Sequence, residues 1–272
     1  MRKGFLNFKM KEFETKKKFG QNFISDKNLL SAICDDADVC SEDEVLEIGA
    51  GLGTLTHEIA KTAKKVVSFE IDKDLEPILL KNKPDNVEFI FKDIVKTSLE
   101  EIESKFSGEY KIIANLPYYI TSPIIFKFLG KSKRLKSLNI MVQKEVAERM
   151  VAKSSEKDYG VLSVSVNVCG DPKITRIVKR NMFSPAPNVD SAVVRIDIKN
   201  KHNIDLDDFF DFTKKIFSMR RKTLYNNLMK AYCISKDVLL NIYGEEVLKM
   251  RAEIFTPDQI VELYNKIKKL IS

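Results

Sequence analysis

The sequence predicts an α/β fold: a parallel sheet with helices on both faces, followed by a small all-helical C-terminal domain. Three observations carry this. Short apolar runs of strand character alternate with stretches of helical spacing from Val45 to Val142. Alternation of that kind needs crossover connections, which build a parallel sheet covered on both sides. A turn rich in glycine, Gly49-Ala50-Gly51-Leu52-Gly53, follows the first of these strands. From Asp205 onward only helical periodicity remains, as in Phe209, Phe212, Ile216 and Phe217.

The elements follow in order. A helix is expected from Asp26 to about Asp38, with Leu29, Leu30 and Ile33 on one side. Val45–Ile48 reads as a strand leading into the glycine turn, and Leu55, Ile59 and Ala63 continue as a helix. Val66–Phe69 is a second strand, ending at Glu70, and Leu75–Leu80 is helical. Val87–Phe91 is a third strand ending near Asp93, Ile112–Ala114 a fourth and Leu138–Val142 a fifth. Helical spacing returns after Lys144 and runs through Val146, Met150 and Val161 to Val168. Two more strands are expected, at Ile174–Val178 and Ala192–Ile198, with a proline-stiffened loop at Phe183–Asp190 between them. The expected domains are a basic arm over 1–25, a sheet domain over 26–200 and a helical domain over 201–272.

Bulk properties narrow the class. The chain has 272 residues and 44% hydrophobic content, enough for a substantial core. Its formal charge of +7 suits a polyanionic partner. The four cysteines, Cys34, Cys40, Cys169 and Cys233, have no zinc-knuckle spacing, and the histidines are His57 and His202. No metal site is expected, and the thiols read as reduced and cytoplasmic. No apolar run is long enough to span a membrane. Glu12 and Glu14 interrupt the basic N-terminus, which does not read as a signal or transit peptide. No coiled-coil or dimer stripe is visible, which points to a monomer.

Ligands of such sheets sit at the carboxyl ends of the strands. That rule gathers Gly49, Glu70, Asp93 and Asn115 along one edge, although they are far apart in sequence. Gly49 and Gly51 let the backbone approach a ligand closely. Glu70 follows the turn by about twenty residues, where an acid accepts from ribose hydroxyls. Asp93 can accept from an adenine amino group or serve as a helix N-cap.

The stretch Asn115-Leu116-Pro117-Tyr118 says most about chemistry. The Asn115 side-chain oxygen and the Leu116 carbonyl can both accept from one exocyclic amine. Pro117 stiffens the loop, and Tyr118 can stack on the attached ring. Phe183 is the candidate for the opposite face of that ring, with ordinary core packing as its alternative. Nicotinamide enzymes need no such motif. Its pairing with the glycine turn points to N-methylation of an adenine-like base, with S-adenosyl-L-methionine as donor.

The chain resembles the small-subunit ribosomal RNA adenine N6,N6-dimethyltransferases. The resemblance runs through Lys17–Phe23, Leu46–Thr56, Asn115–Pro123, Phe183–Val194 and Arg220–Leu228, in the family's order. It implies a Rossmann-like class I methyltransferase domain with a helical C-terminal domain. It also implies that Asn22 and Ile24 border the cofactor with Gly49, Glu70, Asp93 and Asn115. The implied reaction is dimethylation of two adjacent adenosines near the 3′ end of the 16S rRNA, in the small ribosomal subunit. Tyr119 stands where many members have Asn, and little effect is expected from it. Arg220, Arg221 and Lys222, with Lys17 and Lys18 of the arm, are the expected contacts to RNA phosphates. The competing readings are a large-subunit rRNA adenine methyltransferase of the macrolide-resistance type and a non-catalytic assembly factor. Arg221-Lys222-Thr223-Leu224 favours the small-subunit type, and the intact Asn115–Tyr118 stretch argues against a purely structural role.

Overall fold

A computed structural model describes residues 22–199 and 202–271. The chain forms two compact units. One runs to Ala147 and resumes over Lys173–Ile198; the other takes Glu148–Pro172 and everything from Lys199.

The first unit is built on a seven-stranded sheet. In chain order its strands are β2 (Glu44–Ile48), β3 (Lys65–Phe69), β4 (Val87–Ile90), β5 (Tyr110–Asn115), β6 (Leu135–Gln143), β7 (Gly170–Val178) and β9 (Ser191–Ile198). Their spatial order is β4-β3-β2-β5-β6-β9-β7. Parallel pairing joins β2 through β6, whereas β9 runs antiparallel to β6. The sheet is therefore mixed, and its antiparallel strand was not anticipated by the alternating pattern. All of β2 is buried, as expected where helices cover both faces.

Strand order reverses between β2 and β5, so a crevice opens at their carboxyl ends. Register fixes what faces it. Glu47 pairs with Ile113, so Gly49 and Asn115 come off neighbouring strands at the same level. A second, two-stranded sheet pairs β1 (Phe23–Ile24) with β8 (Phe183–Ser184).

The expected helices are present with limits shifted by a few residues. Asp26 caps the helix Lys27–Asp36 by accepting from the Leu29 N–H at 2.8 Å. Thr54–Ile59 and Glu76–Lys81 follow β2 and β3. Leu99–Glu103 and Thr121–Phe128 are helices that the apolar spacing did not suggest.

The stretch expected to be helical from Lys144 to Val168 is two helices, Lys144–Val151 and Val161–Cys169. The second of them belongs to the second unit, not to the sheet domain where the sequence placed it. Leu162, Val164, Val166 and Val168 are buried, along with Ser163 and Ser165. A helix buried on every side needs neighbours all round, and it packs against Leu206–Ile216 and Pro257–Ile271. Leu224–Tyr232, Lys236–Tyr243 and Glu245–Lys249 complete this unit. Phe209 meets Tyr264 edge-on at 5.5 Å inside it.

Candidate active site

The glycine turn takes its shape from two constraints. Gly49 and Gly51 adopt φ of +83° and +55°, a region costly for other residues. A Cβ on Gly51 would stand 3.0 Å from the Phe23 ring. The Gly51 N–H donates to one Glu70 oxygen at 2.8 Å, and the Asp72 N–H donates to the other at 2.8 Å. Glu70 is only 6% exposed. Burial raises its pKa, opposed by these N–H donors. Each carboxylate oxygen still has a lone pair to offer.

Asn115 ends β5. Its amide nitrogen donates to the Asn22 carbonyl at 3.0 Å, which leaves its side-chain oxygen available as an acceptor, and the residue lines the crevice. The Ile24 carbonyl accepts from the Thr54 hydroxyl at 2.9 Å. Asn22 and Ile24 thus touch the site through backbone oxygens. Asp93 is not a helix N-cap, because the next helix, Leu99–Glu103, is capped by Ser98. Asp93 accepts from the Val95 N–H at 2.9 Å in a local turn, and it lines the cavity.

That cavity has a volume of about 350 Å³. It brings together Asn22, Ile24, Gly49, Gly51, Glu70 and Asp93 with Asn115, Leu116 and Pro117. Tyr118 and Phe183 are not among its walls. The Tyr118 hydroxyl lies 2.9 Å from the Ser191 hydroxyl. Phe183 is 6% exposed and packs with Ile24, Leu30, Ile33, Val178 and Val193. Pairing of β8 with β1 places Phe183 in this buried cluster, in line with the core-packing alternative weighed for it. Tyr119, from which little effect was expected, lines the cavity instead.

One buried acid was also missed. Glu47 is fully buried in β2 and accepts from Thr56 at 2.6 Å and Ser68 at 2.5 Å through one oxygen. Among the described residues, its other oxygen has no hydrogen-bond partner. Burial pushes its pKa up to about 7. The signal was available: an acid at a central position of an otherwise apolar strand.

Arg220, Arg221 and Lys222 lie in the second unit, in the turn before Leu224–Tyr232. Arg220 is committed internally. It donates to the Tyr159 carbonyl at 3.2 Å and to that of Lys157, and it lies 3.6 Å from Glu253. Arg221 and Lys222 are exposed. Buried Asn227 holds the turn by accepting from the Met219 N–H at 2.9 Å and donating to the Thr223 carbonyl at 3.2 Å. Lys17 and Lys18 lie outside the described residues.

The cavity suits a nucleoside cofactor: a close-approach turn on one side, a buried carboxylate beside it and a second acid further along. Among the described residues, no cluster of His, Cys, Asp and Glu could hold a metal ion. No described helix is long and apolar enough to cross a membrane.

Residues 12–269 match the family described as Ribosomal RNA adenine dimethylase. The chain belongs to this family. Ribosomal RNA small subunit methyltransferase A of Clostridioides difficile (strain 630) is 40% identical over 269 residues, covering 96% of this chain and 93% of that one. The protein of the same name from Alkaliphilus oremlandii (strain OhILAs) is 42% identical over 268 residues, covering 95% and 93%. The crystal structure of a dimethyladenosine transferase from Plasmodium falciparum superposes with a TM-score of 0.77 at 27% identity, covering 91% and 98%. That of the 23S rRNA methyltransferase ErmE shares the fold, with a TM-score of 0.62 at 24% identity, covering 91% and 100%. As a ribosomal RNA adenine dimethylase the chain is an enzyme with the class I methyltransferase fold, and S-adenosylmethionine is its cofactor.

Proposed function

We propose that this protein dimethylates N6 of two adjacent adenosines near the 3′ end of 16S rRNA, on the small ribosomal subunit, in the cytoplasm. The observation that carries the reading is the anchored amide of Asn115. Its nitrogen is held by the Asn22 carbonyl, which leaves its oxygen as an available acceptor on a residue that lines the same cavity as Glu70 and Asp93.

Glu70 accepts from the ribose hydroxyls of S-adenosylmethionine, and Asp93 from its adenine amine. Gly49 and Gly51 give it close backbone approach. When bound, this cofactor supplies an electrophilic methyl group on a sulfonium cation. Adenine N6 is a weak nucleophile because its lone pair is delocalised into the ring. Hydrogen bonds from N6–H to the Asn115 oxygen and the Leu116 carbonyl favour a pyramidal nitrogen, whose lone pair is then free to attack. Pro117 fixes the loop that sets this geometry. No base is required before attack, because the nitrogen loses its proton once the new bond has formed. Catalysis rests on position and electrostatics. Arg221 and Lys222 meet RNA phosphates.

The test is radiolabelled methyl transfer to purified unmethylated small subunits, with large subunits and naked rRNA as controls. Label confined to the small subunit is expected. Label only in the large subunit would overturn the proposal.

A further inference from the structure

We infer that Tyr119 is a cofactor-covering residue, whose ring closes the mouth of the cleft over the purine nucleoside that Glu70 and Asp93 hold. The inference rests on the cofactor reading of that cleft.

Local geometry separates the two adjacent tyrosines. Pro117 leads into a 3-10 turn over Tyr118–Ile120, in which successive side chains diverge by about a third of a turn. Tyr118 reaches Ser191, while Tyr119 is left on the cavity wall. At 58%, Tyr119 is the most exposed of the large hydrophobic side chains among the described residues. Ile71 at 41% and Val95 at 37% stand on the same rim. Single exposed apolar residues need no explanation, but a cluster at one cleft marks a surface that a ligand covers.

The same wall carries the acceptors. Ile71 follows Glu70 directly, and the Val95 N–H is bonded to Asp93. Apolar faces flanked by two carboxylates match a flat ring bearing an exocyclic amine, joined to a ribose diol. Two rings must share this cleft, the target adenine at Asn115 and the cofactor adenine at Asp93. Position indicates which one Tyr119 serves. The exposed residues that share its rim, Ile71 and Val95, adjoin Glu70 and Asp93, so the apolar rim stands on the cofactor side. Burial is the first cause of the raised Tyr119 phenol pKa, and the further rise that Asp93 and Glu70 contribute agrees with this placement.

Calorimetry with S-adenosylmethionine on the RNA-free protein tests this. Tyr119→Ala should weaken binding roughly tenfold, the scale of one lost ring–base stack. Tyr119→Phe should stay within about twofold, since the ring and not the hydroxyl does the covering. At saturating cofactor, the KM for small subunits should not change. Wild-type cofactor affinity in Tyr119→Ala overturns the inference, and a raised KM for subunits would then assign the ring to the substrate. Glu70→Ala separates the two levels. If it weakens binding while Tyr119→Ala does not, only the inference fails; if neither does, the cofactor reading fails as well. The chain has no tryptophan, so Tyr119→Trp gives a single reporter. Quenching by S-adenosylhomocysteine alone agrees with the inference, and quenching only by substrate RNA contradicts it.

Discussion

The main-chain N–H of Gly51 donates to the Glu70 carboxylate at 2.8 Å, tying the turn after β2 to the end of β3. Glu70 thus has two tasks. It holds the glycine turn in shape, and its remaining lone pairs serve the ribose. The cofactor site is stiffened before anything binds, which lowers the ordering cost of binding.

Removing that carboxylate should therefore cost more than one contact. Glu70→Ala is expected to weaken S-adenosylmethionine binding by about 10- to 100-fold, the range for hydrogen bonds to a charged group. Calorimetry on the RNA-free protein reads this directly. The pH dependence has a definite sign. Burial raises the Glu70 pKa, and the acceptor role requires the ionised form. Affinity should fall as pH drops through that raised value, at higher pH than for an ordinary glutamate.

Asn115→Ala should act on a different quantity. Its oxygen is assigned to the target amine as that nitrogen becomes pyramidal, so the loss belongs in kcat. A fall of about a hundredfold or more in kcat, with cofactor affinity changed far less, is expected for loss of one positioned polar group. Single-turnover methylation of small subunits measures it. Wild-type turnover in this variant would remove Asn115 from the chemistry.

Glu47 makes a prediction about stability. Its pKa rises from 4.5 to about 7 in the folded chain, chiefly through burial. Between those values the folded state holds a proton that the unfolded state has lost. Stability should thus decrease as pH rises through this window, by up to about 1.4 kcal/mol per pH unit. Glu47→Gln should flatten that dependence and stabilise the protein above pH 7. The Thr56 and Ser68 hydroxyls can reorient to suit an amide. Denaturant midpoints from pH 5 to pH 8 would show it, and parallel profiles for the two proteins would contradict it.

The basic turn of the second unit divides into two parts. Arg220 is engaged by the Lys157 and Tyr159 carbonyls and by Glu253, so its loss should appear mainly as reduced stability. Reversing the charges of Arg221 and Lys222 should weaken binding to small subunits and flatten its salt dependence. Each lost phosphate contact lowers the log–log slope by about one. Cofactor affinity should not change. Subunit binding across a salt series decides this, and coincident curves would mean that RNA is held elsewhere.

Much of this was legible in the sequence because a parallel sheet converts strand ends into neighbours. Glu70, Asp93 and Asn115 each close an apolar run, and the rule for strand ends is enough to place them together. Phe183 was legible only as a choice between two roles. A ring in a proline-rich loop looks the same whether it meets a ligand or a core, and its pairing with Ile24 joins segments far apart in the chain. The helix Val161–Cys169 was legible as a helix but not as part of the second unit, because its partners lie far along the chain. Thr121–Phe128 was hidden by Pro123 and the β-branched pair Ile124-Ile125, which lower helix propensity until packing overrides it. Tyr118 and Tyr119 were ranked by motif alone, whereas their directions depend on one turn of 3-10 geometry.

The pairing of β1 with β8 has a consequence for how the enzyme is made. A chain leaving its own ribosome presents the glycine turn, Glu70, Asp93 and Asn115 well before Phe183 and Ser184. Until those two residues emerge, Phe23 and Ile24 lack their partner strand. The carbonyls that receive Asn115 and Thr54 then have no fixed place. Domains generally fold as units as they are synthesised, but here the first segment waits for one of the last strands of its unit. Competence to hold the methyl donor therefore ripens late in translation, and a prematurely terminated chain would not withdraw that metabolite from the cell.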